Sequence, residues 1–518
     1  MPNTKSNKLL RYQIIILFIL FFLSRMAFIN SQAVFFDSGE YLHLFSISNI
    51  ISALGSGHIP LHLGYILFFW PVFQTALFLH LNPGNTVVFI QIVLSGLTLF
   101  CFYKFVIFIS DSRTALLATI IAALLPLYWI VTDTIMMENA YISFFFFSLY
   151  FLIQYISNYK KFYYIISLIF LLLSLMTHTM VISWLPFIWV LIFYKARTLF
   201  FRHIIATLLT TFLAYVLNIL FTSLVTHNNF WTVVNDFYAL KNDIAILSFD
   251  AKSILVILRD FFIISMRSNT SLVVLLAFAS LIQCFRKNKE LFFLSILWII
   301  PALYINIWWD GLLPGRYAML SGFGFAFLTA YLVRNYKFAT FLILSYLLFT
   351  NIYAINLLRA PIPYIEESHL SSTLPKDSLL IESHFARPQV EQSYKGKLVV
   401  VNENIWTTDQ IGKEINTYLA KKESVFISAA ALSDPYGLYT GPYLHFLSLS
   451  YANSPTLKSL LQNYTVVKYK TIDEESNISI YQIISTKKSS YPTIPNLRNS
   501  KRRIDYYDPL FRLFVLLQ

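Results

Sequence analysis

The chain has 518 residues, of which 57% are hydrophobic and 13% are charged, and its mean hydropathy is +0.62. Soluble globular chains carry about 25% charged residues, so these values exclude a soluble protein and predict a polytopic α-helical membrane protein. The formal net charge is +13, but Lys and Arg residues separate the hydrophobic runs instead of forming one basic stripe, which argues against nucleic-acid binding. Both cysteines, Cys101 and Cys284, fall inside hydrophobic runs, so no disulfide framework is indicated.

The hydrophobic runs are predicted to be transmembrane helices, because a helix needs roughly 20 apolar residues to cross a bilayer. About eleven such spans follow one another along the chain. They are 12–29, 86–108, 114–131, 141–157, 162–177, 179–194, 203–225, 261–284, 290–308, 317–333 and 338–356.

A further apolar stretch, 60–80, is predicted to lie in the plane of the membrane. His62, Gly64 and Pro71 interrupt it, and such breaks suit an interfacial helix better than a span. With this choice the basic loops all fall on one side, which the positive-inside tendency makes cytoplasmic together with the N-terminus. These loops contain Lys104 and Arg113, Lys160 and Lys161, Lys195 to Arg202, Arg286 to Lys289, and Arg334 and Lys337.

The chain changes character after residue 356. Strand-like runs at 378–382, 397–401, 424–428, 464–469 and 478–484 alternate with helical stretches at 410–422 and 454–462. This pattern predicts two domains, a transmembrane domain over 1–356 and an extracytoplasmic α/β domain over 357–518. No Gly-rich phosphate loop follows any of the strands, so nothing indicates nucleotide binding there.

Two carboxylates, Asp37 and Glu40, follow the first span directly. Burying such a pair in hydrocarbon costs several kcal/mol, so we expect it at the membrane–water boundary, where a membrane enzyme would use an acidic group as a base. A solvated acidic loop is the alternative. A second acidic pair, Asp133 and Glu138, brackets the end of one span and the start of the next on the same outer face, and capping of the helix ends is its alternative reading.

Three further groups are predicted at outer ends of spans. His58 and His178 are candidates for substrate binding, although a lone His at a helix end is more often structural. Their spacing matches no recognised ligand motif, so a divalent cation such as Mg²⁺ or Mn²⁺ is left open. Arg316 follows a loop containing Pro314 and Gly315; its guanidinium could grip a phosphate, and a snorkelling interfacial Arg is the alternative. Arg25 is a weaker candidate for the same role.

The order of these parts resembles the GT-C glycosyltransferases, and within them the bacterial proteins with a protein-O-mannosyltransferase-like membrane domain. The resemblance covers roughly residues 10–340. Two motifs depart from the family pattern. Ile59 stands between His58 and Pro60 where members often show His-Pro-Pro, and Glu138-Asn-Ala-Tyr141 replaces Glu-Val-Tyr. The resemblance itself rests on Phe36 to Glu40, Gly57 to Pro60 with Gly64 and Tyr65, Glu138 to Tyr141, Leu175 to Thr179, and Leu313 to Tyr317.

The resemblance implies an integral protein of the plasma (inner) membrane that moves a sugar, of hexose or mannose type, from a polyprenyl-phosphate donor to an acceptor hydroxyl with inversion. The acceptor would be a protein, a lipid or a glycan. The implied catalytic residues are Asp37, as general base, with Glu40 and Glu138; the implied substrate-binding residues are His58, Asp133, His178 and Arg316.

Two other classes of function stay open on the sequence. A transporter or lipid flippase usually shows internal repeats and charges near the bilayer midplane, whereas this chain shows no repeat and places its charges at span ends. A glycan polymerase or ligase would instead use basic residues of a large outer loop, and the region 226–270, with Lys241, Lys252, Arg259 and Arg267, is a candidate for one. A non-catalytic member of the glycosyltransferase group is the remaining alternative.

Overall fold

The computed structural model describes residues 4–31, 36–55, 62–235, 254–308, 316, 319–359, 363–383, 386–401, 407–432, 457, 460–472, 479–485, 508 and 510. The chain forms two compact units. The first comprises Met1–Gln32, Leu44–Leu358 and Tyr507–Gln518, and the second comprises Ala33–His43 and Arg359–Tyr506. The division at residues 356 and 357 that we expect from the sequence stays a prediction.

Up to residue 359, every element of secondary structure that the structure describes is a helix. Two short 3₁₀ helices, Thr179–Trp184 and Arg197–Leu199, flank α10. The α-helices are α1 (Thr4–Met26), α2 (Phe36–Ser46), α3 (Ile50–Gly55), α4 (Leu63–Phe78), α5 (Pro83–Ile109), α6 (Ser112–Ala123), α7 (Pro126–Asp133), α8 (Met137–Asn158), α9 (Lys161–Thr177), α10 (Leu185–Lys195), α11 (Phe200–Thr226), α12 (Ile254–Asn269), α13 (Ser271–Lys287), α14 (Lys289–Trp308), α15 (Met319–Val333) and α16 (Lys337–Arg359).

Several of these helices are long and apolar enough to cross a membrane. Within the described ranges there are four, α5, α8, Arg197–Thr226 and Lys337–Asn356, or five if the bent pair α6 and α7 forms one span. Shorter apolar helices include α4, α9 and α15. The count of about eleven spans therefore stays a prediction.

Two of the predicted spans are interrupted in the structure. The run 261–284 is not one continuous helix, because α12 ends at Asn269 and α13 begins at Ser271, with Thr270 between them at φ 68°. A β-branched residue rarely adopts a positive φ, so this is a sharp local break. The run 114–131 is divided into α6 and α7, which meet at 63°.

The bend between α6 and α7 is stabilised by two distant side chains. The last carbonyls of a helix lack intrahelical partners, and a buried carbonyl without a donor is costly. Arg25 of α1 donates from Nη2 to the carbonyl of Ala123, and Asn351 of α16 donates from Nδ2 to the carbonyl of Leu124 at 2.6 Å. The guanidinium of Arg25 also lies 3.8 Å from the ring centroid of Trp129, so the bend is held from both sides.

The stretch 60–80 forms the 16-residue helix α4. Tyr65, Phe69 and Phe73 bury one face of it, and α4 packs against α5 and α9. A Cβ at Gly64 would lie 2.4 Å from the hydroxyl oxygen of Thr177, so only glycine lets α4 approach the end of α9 this closely. Its expected in-plane orientation in the membrane stays a prediction.

The second unit contains a five-stranded mixed sheet. The strand order is β2-β1-β3-β5-β4, with β1 parallel to β2 and β3, and β5 antiparallel to β3 and β4. Each predicted strand overlaps an observed one to within two residues, so the α/β character of this region is confirmed. The strands are β1 (Leu379–Ser383), β2 (Lys397–Val401), β3 (Val425–Ser428), β4 (Thr465–Thr471) and β5 (Ser479–Ser485).

The helices of this unit are α17 (Pro363–Ser371), α18 (Arg387–Ser393), α19 (Thr408–Ala420) and α20 (Ala429–Leu432). A capping box between Thr407 and Gln410 fixes the start of α19. Ile411 and Ile415, one turn apart, then pack into the same core as Ile381 and Val399 of the sheet. The apolar period of the sequence thus places α19 against the sheet.

Candidate active site

The centre of the candidate site in the first unit is an ion pair between Arg316 and Glu138. The Nε of Arg316 lies 3.3 Å from Oε1 of Glu138, and the two side chains are 5% and 0% exposed. Glu138 is in the first turn of α8, where the helix dipole favours a carboxylate. Because both charges are removed from water, each depends strongly on the other, and losing one partner would be costly.

Tyr141 links this pair to His178. It lies three residues after Glu138, one turn further along the same face of α8. Its hydroxyl donates to the carbonyl of Arg316 at 3.3 Å, and its ring centroid is 5.2 Å from that of His178. The Ser174 hydroxyl of α9 donates to the carbonyl of Tyr141 at 2.8 Å. Glu138, Arg316 and His178 are therefore brought together around one tyrosine.

A buried polar network holds the first turn of α8 against α5. The Ser95 hydroxyl donates to Oδ1 of Asn139 at 2.9 Å, and Asn139 donates from Nδ2 to the carbonyl of Gln91 at 3.0 Å. Gln91 in turn donates to the carbonyl of Met136 at 2.7 Å. Hydrogen bonds inside a packed interior restrict motion, so this network fixes the position of Glu138 next to Asn139.

His178 has a capping role as well as its place beside Tyr141. Its Nδ1 accepts from the backbone N–H of Met180 at 3.2 Å, which caps the 3₁₀ helix Thr179–Trp184. Its ring is 5.8 Å from that of His62, whose Nδ1 lies 3.0 Å from the carbonyl oxygen of Thr177. Two imidazoles therefore lie side by side where α4 meets the end of α9.

Asp133 has different interaction partners from the residues of this cluster. Its carboxylate is buried at the end of α7 and interacts electrostatically with Arg25. The Asp133 carbonyl accepts from the backbone N–H of Asn30 at 2.9 Å. Asp133 and Arg25 thus belong to the structure of the α6–α7 bend, and their predicted part in substrate binding stays a prediction.

The remaining predicted site residues are Asp37, Glu40 and His58. Asp37 and Glu40 are in the first turns of α2, in the segment Ala33–His43 of the second unit, and both are half-buried. Because α2 is helical here, their spacing of three places them on one face, as expected. His58 lies outside the described residues, so the structure gives no account of it.

Comparison with protein-family models and with curated sequences finds no match, but solved structures do match. ArnT from Cupriavidus metallidurans bound to undecaprenyl phosphate aligns with a TM-score of 0.51 at 10% identity, over 82% of this chain and 88% of that one. Its apo state gives 0.51 at 9%, over 92% and 98%. An Archaeoglobus fulgidus oligosaccharyltransferase complex with Zn and sulfate gives 0.49 at 12%, over 81% and 64%. This chain has the GT-C fold.

The GT-C fold was the expectation from the sequence, and at the level of fold it is confirmed. The closer likeness to protein-O-mannosyltransferases stays a prediction. In the part of the chain that the structure describes, no three or more His, Cys, Asp or Glu side chains are grouped so that they could hold a metal ion. The question of a divalent cation therefore stays as the sequence left it.

Two residues of the site, Tyr141 and His62, were not functional candidates from the sequence. The signal for Tyr141 was its spacing of three from Glu138 on a helix, which places both on one face. His62 carried no such signal, because its contact with His178 joins residues more than a hundred positions apart.

Proposed function

We propose that this protein is a membrane glycosyltransferase that transfers a sugar from a polyprenyl-phosphate donor to an acceptor hydroxyl, with inversion at the anomeric carbon. The observation that carries the proposal is the buried pair of Arg316 and Glu138. It occurs in a fold shared with a protein whose structure holds undecaprenyl phosphate. The sugar is proposed to be a hexose of mannose type, and the acceptor a protein, a lipid or a glycan.

Arg316 is proposed to stabilise the departing lipid phosphate. When the bond between the anomeric carbon and the phosphate oxygen breaks, negative charge grows on the phosphate, and a fixed guanidinium stabilises that charge without reorganising. Glu138 is the positioning group for Arg316 in this scheme, since their contact is 3.3 Å and both are buried. Arginine suits the role because its planar donors match phosphate geometry.

Asp37 is proposed as the general base. The acceptor oxygen would attack the anomeric carbon from the face opposite the phosphate, and its proton would pass to the carboxylate of Asp37. A positioned base typically contributes on the order of 10²- to 10⁴-fold in rate. Glu40 and His178 would orient the acceptor, His58 would help to shape the substrate groove, and the proposed role of Asp133 is substrate binding. This assignment rests on the acidic segment after α1 and on the resemblance.

The reaction is proposed to occur at the outer face of the plasma (inner) membrane, with the N-terminus cytoplasmic and the C-terminal domain, residues 357–518, extracytoplasmic. Two contacts between basic loops support a common basic end of the first unit. Lys195 pairs with Glu290 at 2.6 Å, and Arg334 lies 3.7 Å from Asp111. Basic loops gathered at one end favour that end as cytoplasmic.

The test is release of lipid phosphate from labelled donors. Purified full-length protein is incubated with radiolabelled polyprenyl-phosphate hexoses and a hydroxyl acceptor, and free polyprenyl phosphate is measured. We expect release by the wild type and at least a 100-fold lower rate for Asp37→Asn. Asp409→Asn is the matched control, because Asp409 is also in the first turn of a helix, α19, and we expect it to be fully active.

Two results would contradict the proposal. Full activity of Asp37→Asn would remove the base assignment while leaving donor use intact. No release from any donor by folded wild-type protein would remove the glycosyltransferase assignment, and a flux assay in vesicles would then test the transporter alternative.

A further inference from the structure

A groove of about 440 Å³ opens between the ends of α8, α9, α10 and α11 at the basic end of the first unit. Its polar end is formed by Lys161, Tyr164, Arg202 and His203. Its other end is apolar and includes Ile205 and Leu209. The groove therefore has two cationic side chains and a row of aliphatic side chains on the same helices. It lies on different helix ends from the cluster of Glu138, Tyr141 and His178.

The two cations of the groove are available to a ligand. In the described part of the chain, neither Lys161 nor Arg202 forms an ion pair with a carboxylate, whereas the neighbouring Lys195 is engaged with Glu290 at 2.6 Å. Arg197 is placed against the ring of Phe193, 5.3 Å from its centroid. Two exposed basic side chains thus face one groove with no acidic residue among its lining residues.

His203 is the third polar group, and it is buried. Its side chain is only 2% exposed, and its Nδ1 lies 3.2 Å from the hydroxyl oxygen of Tyr164. The other ring nitrogen, Nε2, has no hydrogen-bond partner among the residues that the structure describes. Because Nε2 is itself buried, His203 forms part of the wall of the groove, and Lys161 and Arg202 are the charged groups that a ligand in the groove reaches.

The apolar part of the groove consists of exposed aliphatic side chains on apolar helices. Ile205 and Leu209 are 59% and 62% exposed on α11, a helix long and apolar enough to cross the bilayer. On the facing helix α9, Ile165 is 57% exposed and also lines the groove. An acyl chain that packs along these side chains would lie in its ordinary environment while its head group reached the cations.

From this arrangement we infer that the groove binds an anionic phospholipid of the bilayer. The lipid phosphate lies between Lys161 and Arg202, and one acyl chain lies along Ile165 and Leu209. Basic grooves between helices at the cytoplasmic side of a membrane protein suit anionic head groups. The inference concerns a site distinct from the proposed active site and does not depend on transfer activity.

The test measures lipid binding to the intact detergent-purified protein by native mass spectrometry. Phosphatidylglycerol and phosphatidylcholine with the same acyl chains are titrated separately. Each basic side chain near a lipid surface contributes about five-fold to anionic-lipid affinity, so Lys161→Ala combined with Arg202→Ala should weaken phosphatidylglycerol binding about 25-fold. The matched control combines Arg286→Ala with Lys287→Ala, which removes the same charge from the exposed end of α13 and should bind as the wild type does.

Two further experiments distinguish binding of the whole lipid from binding of its phosphate alone. Inorganic phosphate in excess should not displace phosphatidylglycerol, because phosphate has no acyl chain to pack against the aliphatic side chains of the groove. Ala206→Trp, which fills the groove and leaves both cations in place, should weaken phosphatidylglycerol binding and provides a second variant if the double substitution does not fold. Equal binding of the two lipids by the wild type, unchanged binding in both groove variants, or displacement by phosphate alone would each overturn the inference.

Discussion

The Nε of Arg316 lies 3.3 Å from the Oε1 of Glu138, across 178 positions of sequence and with both side chains removed from water. A network on α5 fixes the turn of α8 that carries Glu138, and Tyr141 on the same face contacts the backbone of Arg316. Glu138 therefore holds the guanidinium of Arg316, and Tyr141 holds the main chain of the same residue. A group held in this way is suited to stabilise charge that develops during a reaction.

Glu138→Gln should destabilise the protein and lower activity together. The substitution keeps the shape of the side chain but removes the charge that balances Arg316, and breaking a buried pair typically costs about 3–5 kcal/mol. Thermal unfolding in detergent measures the first effect, and polyprenyl-phosphate release measures the second. If the mutant unfolds at the wild-type temperature, the pair does not contribute to stability as we expect.

The matched control for that prediction is Glu290→Gln. Glu290 pairs with Lys195 at 2.6 Å, but both side chains are about a third exposed, and exposed pairs contribute about 1 kcal/mol or less. We therefore expect a small change in unfolding temperature and wild-type activity. An effect as large as that of Glu138→Gln would show that loss of a carboxylate, wherever it lies, explains both results.

Gly64→Ala should separate α4 from the end of α9. The added Cβ would lie 2.7 Å from the carbonyl oxygen of Leu173 and 2.9 Å from the backbone nitrogen of Thr177, and backbone atoms there have little room to move. Overpacking of this kind costs about 1–3 kcal/mol. Because His62 bonds to the Thr177 carbonyl, activity should fall as well.

A glycine elsewhere in the first unit gives the comparison for Gly64. At Gly96 the closest atom to a new Cβ is the ring tip of Phe22, which can rotate away, so Gly96→Ala should cost less than Gly64→Ala. Unfolding temperatures of the two variants, measured side by side, check the order. Equal losses would mean that the approach of α4 to α9 is not as tight as the geometry indicates.

Asn351→Leu should weaken the bend between α6 and α7. The Nδ2 group of Asn351 donates to the partly buried carbonyl of Leu124 at 2.6 Å, and leaving such a carbonyl without its donor costs about 1 kcal/mol. Denaturant unfolding in detergent should show this loss. Asn158→Leu is the control, because Asn158 bonds to Gln154 at an exposed helix end, and its loss should be within about 0.5 kcal/mol.

Acid should remove a contribution of Asp111 to stability. Burial by itself would raise the pKa of Asp111, but hydrogen bonds from Thr114 and Arg113 and the charge of Arg334 lower that pKa below its ordinary value. A lowered pKa in the folded state means that the contribution is present above the ordinary Asp pKa of about 3.9 and is lost as pH falls below it.

The corresponding measurement compares the wild type with Asp111→Asn. The difference in unfolding temperature between them should shrink as pH falls from about 6 to about 3, since the wild-type carboxylate is then progressively protonated. Asparagine can still cap α6, so a constant difference across this range would show that the charge of Asp111 does not contribute.

Local sequence patterns predicted much of the fold. The apolar runs coincide with α5, α8, α9 and α11, and the alternation after residue 378 coincides with the five strands. The breaks at Thr270 and between α6 and α7 were not predicted, because hydropathy averages over a run and does not register a change of direction within it. The donors that stabilise the α6–α7 bend, Arg25 and Asn351, come from helices distant in sequence.

The sequence by itself predicted a membrane protein with a small α/β region, because too few charges are present to cover a soluble surface and residue periods of two and about 3.6 specify strands and helices. It also drew attention to Glu138, Arg316 and His178 one by one. Only the tertiary structure decided that these three meet around Tyr141, and that Asp133 instead interacts with Arg25. The physical reason is that the pairing of buried charges depends on how helices pack, which no local period encodes.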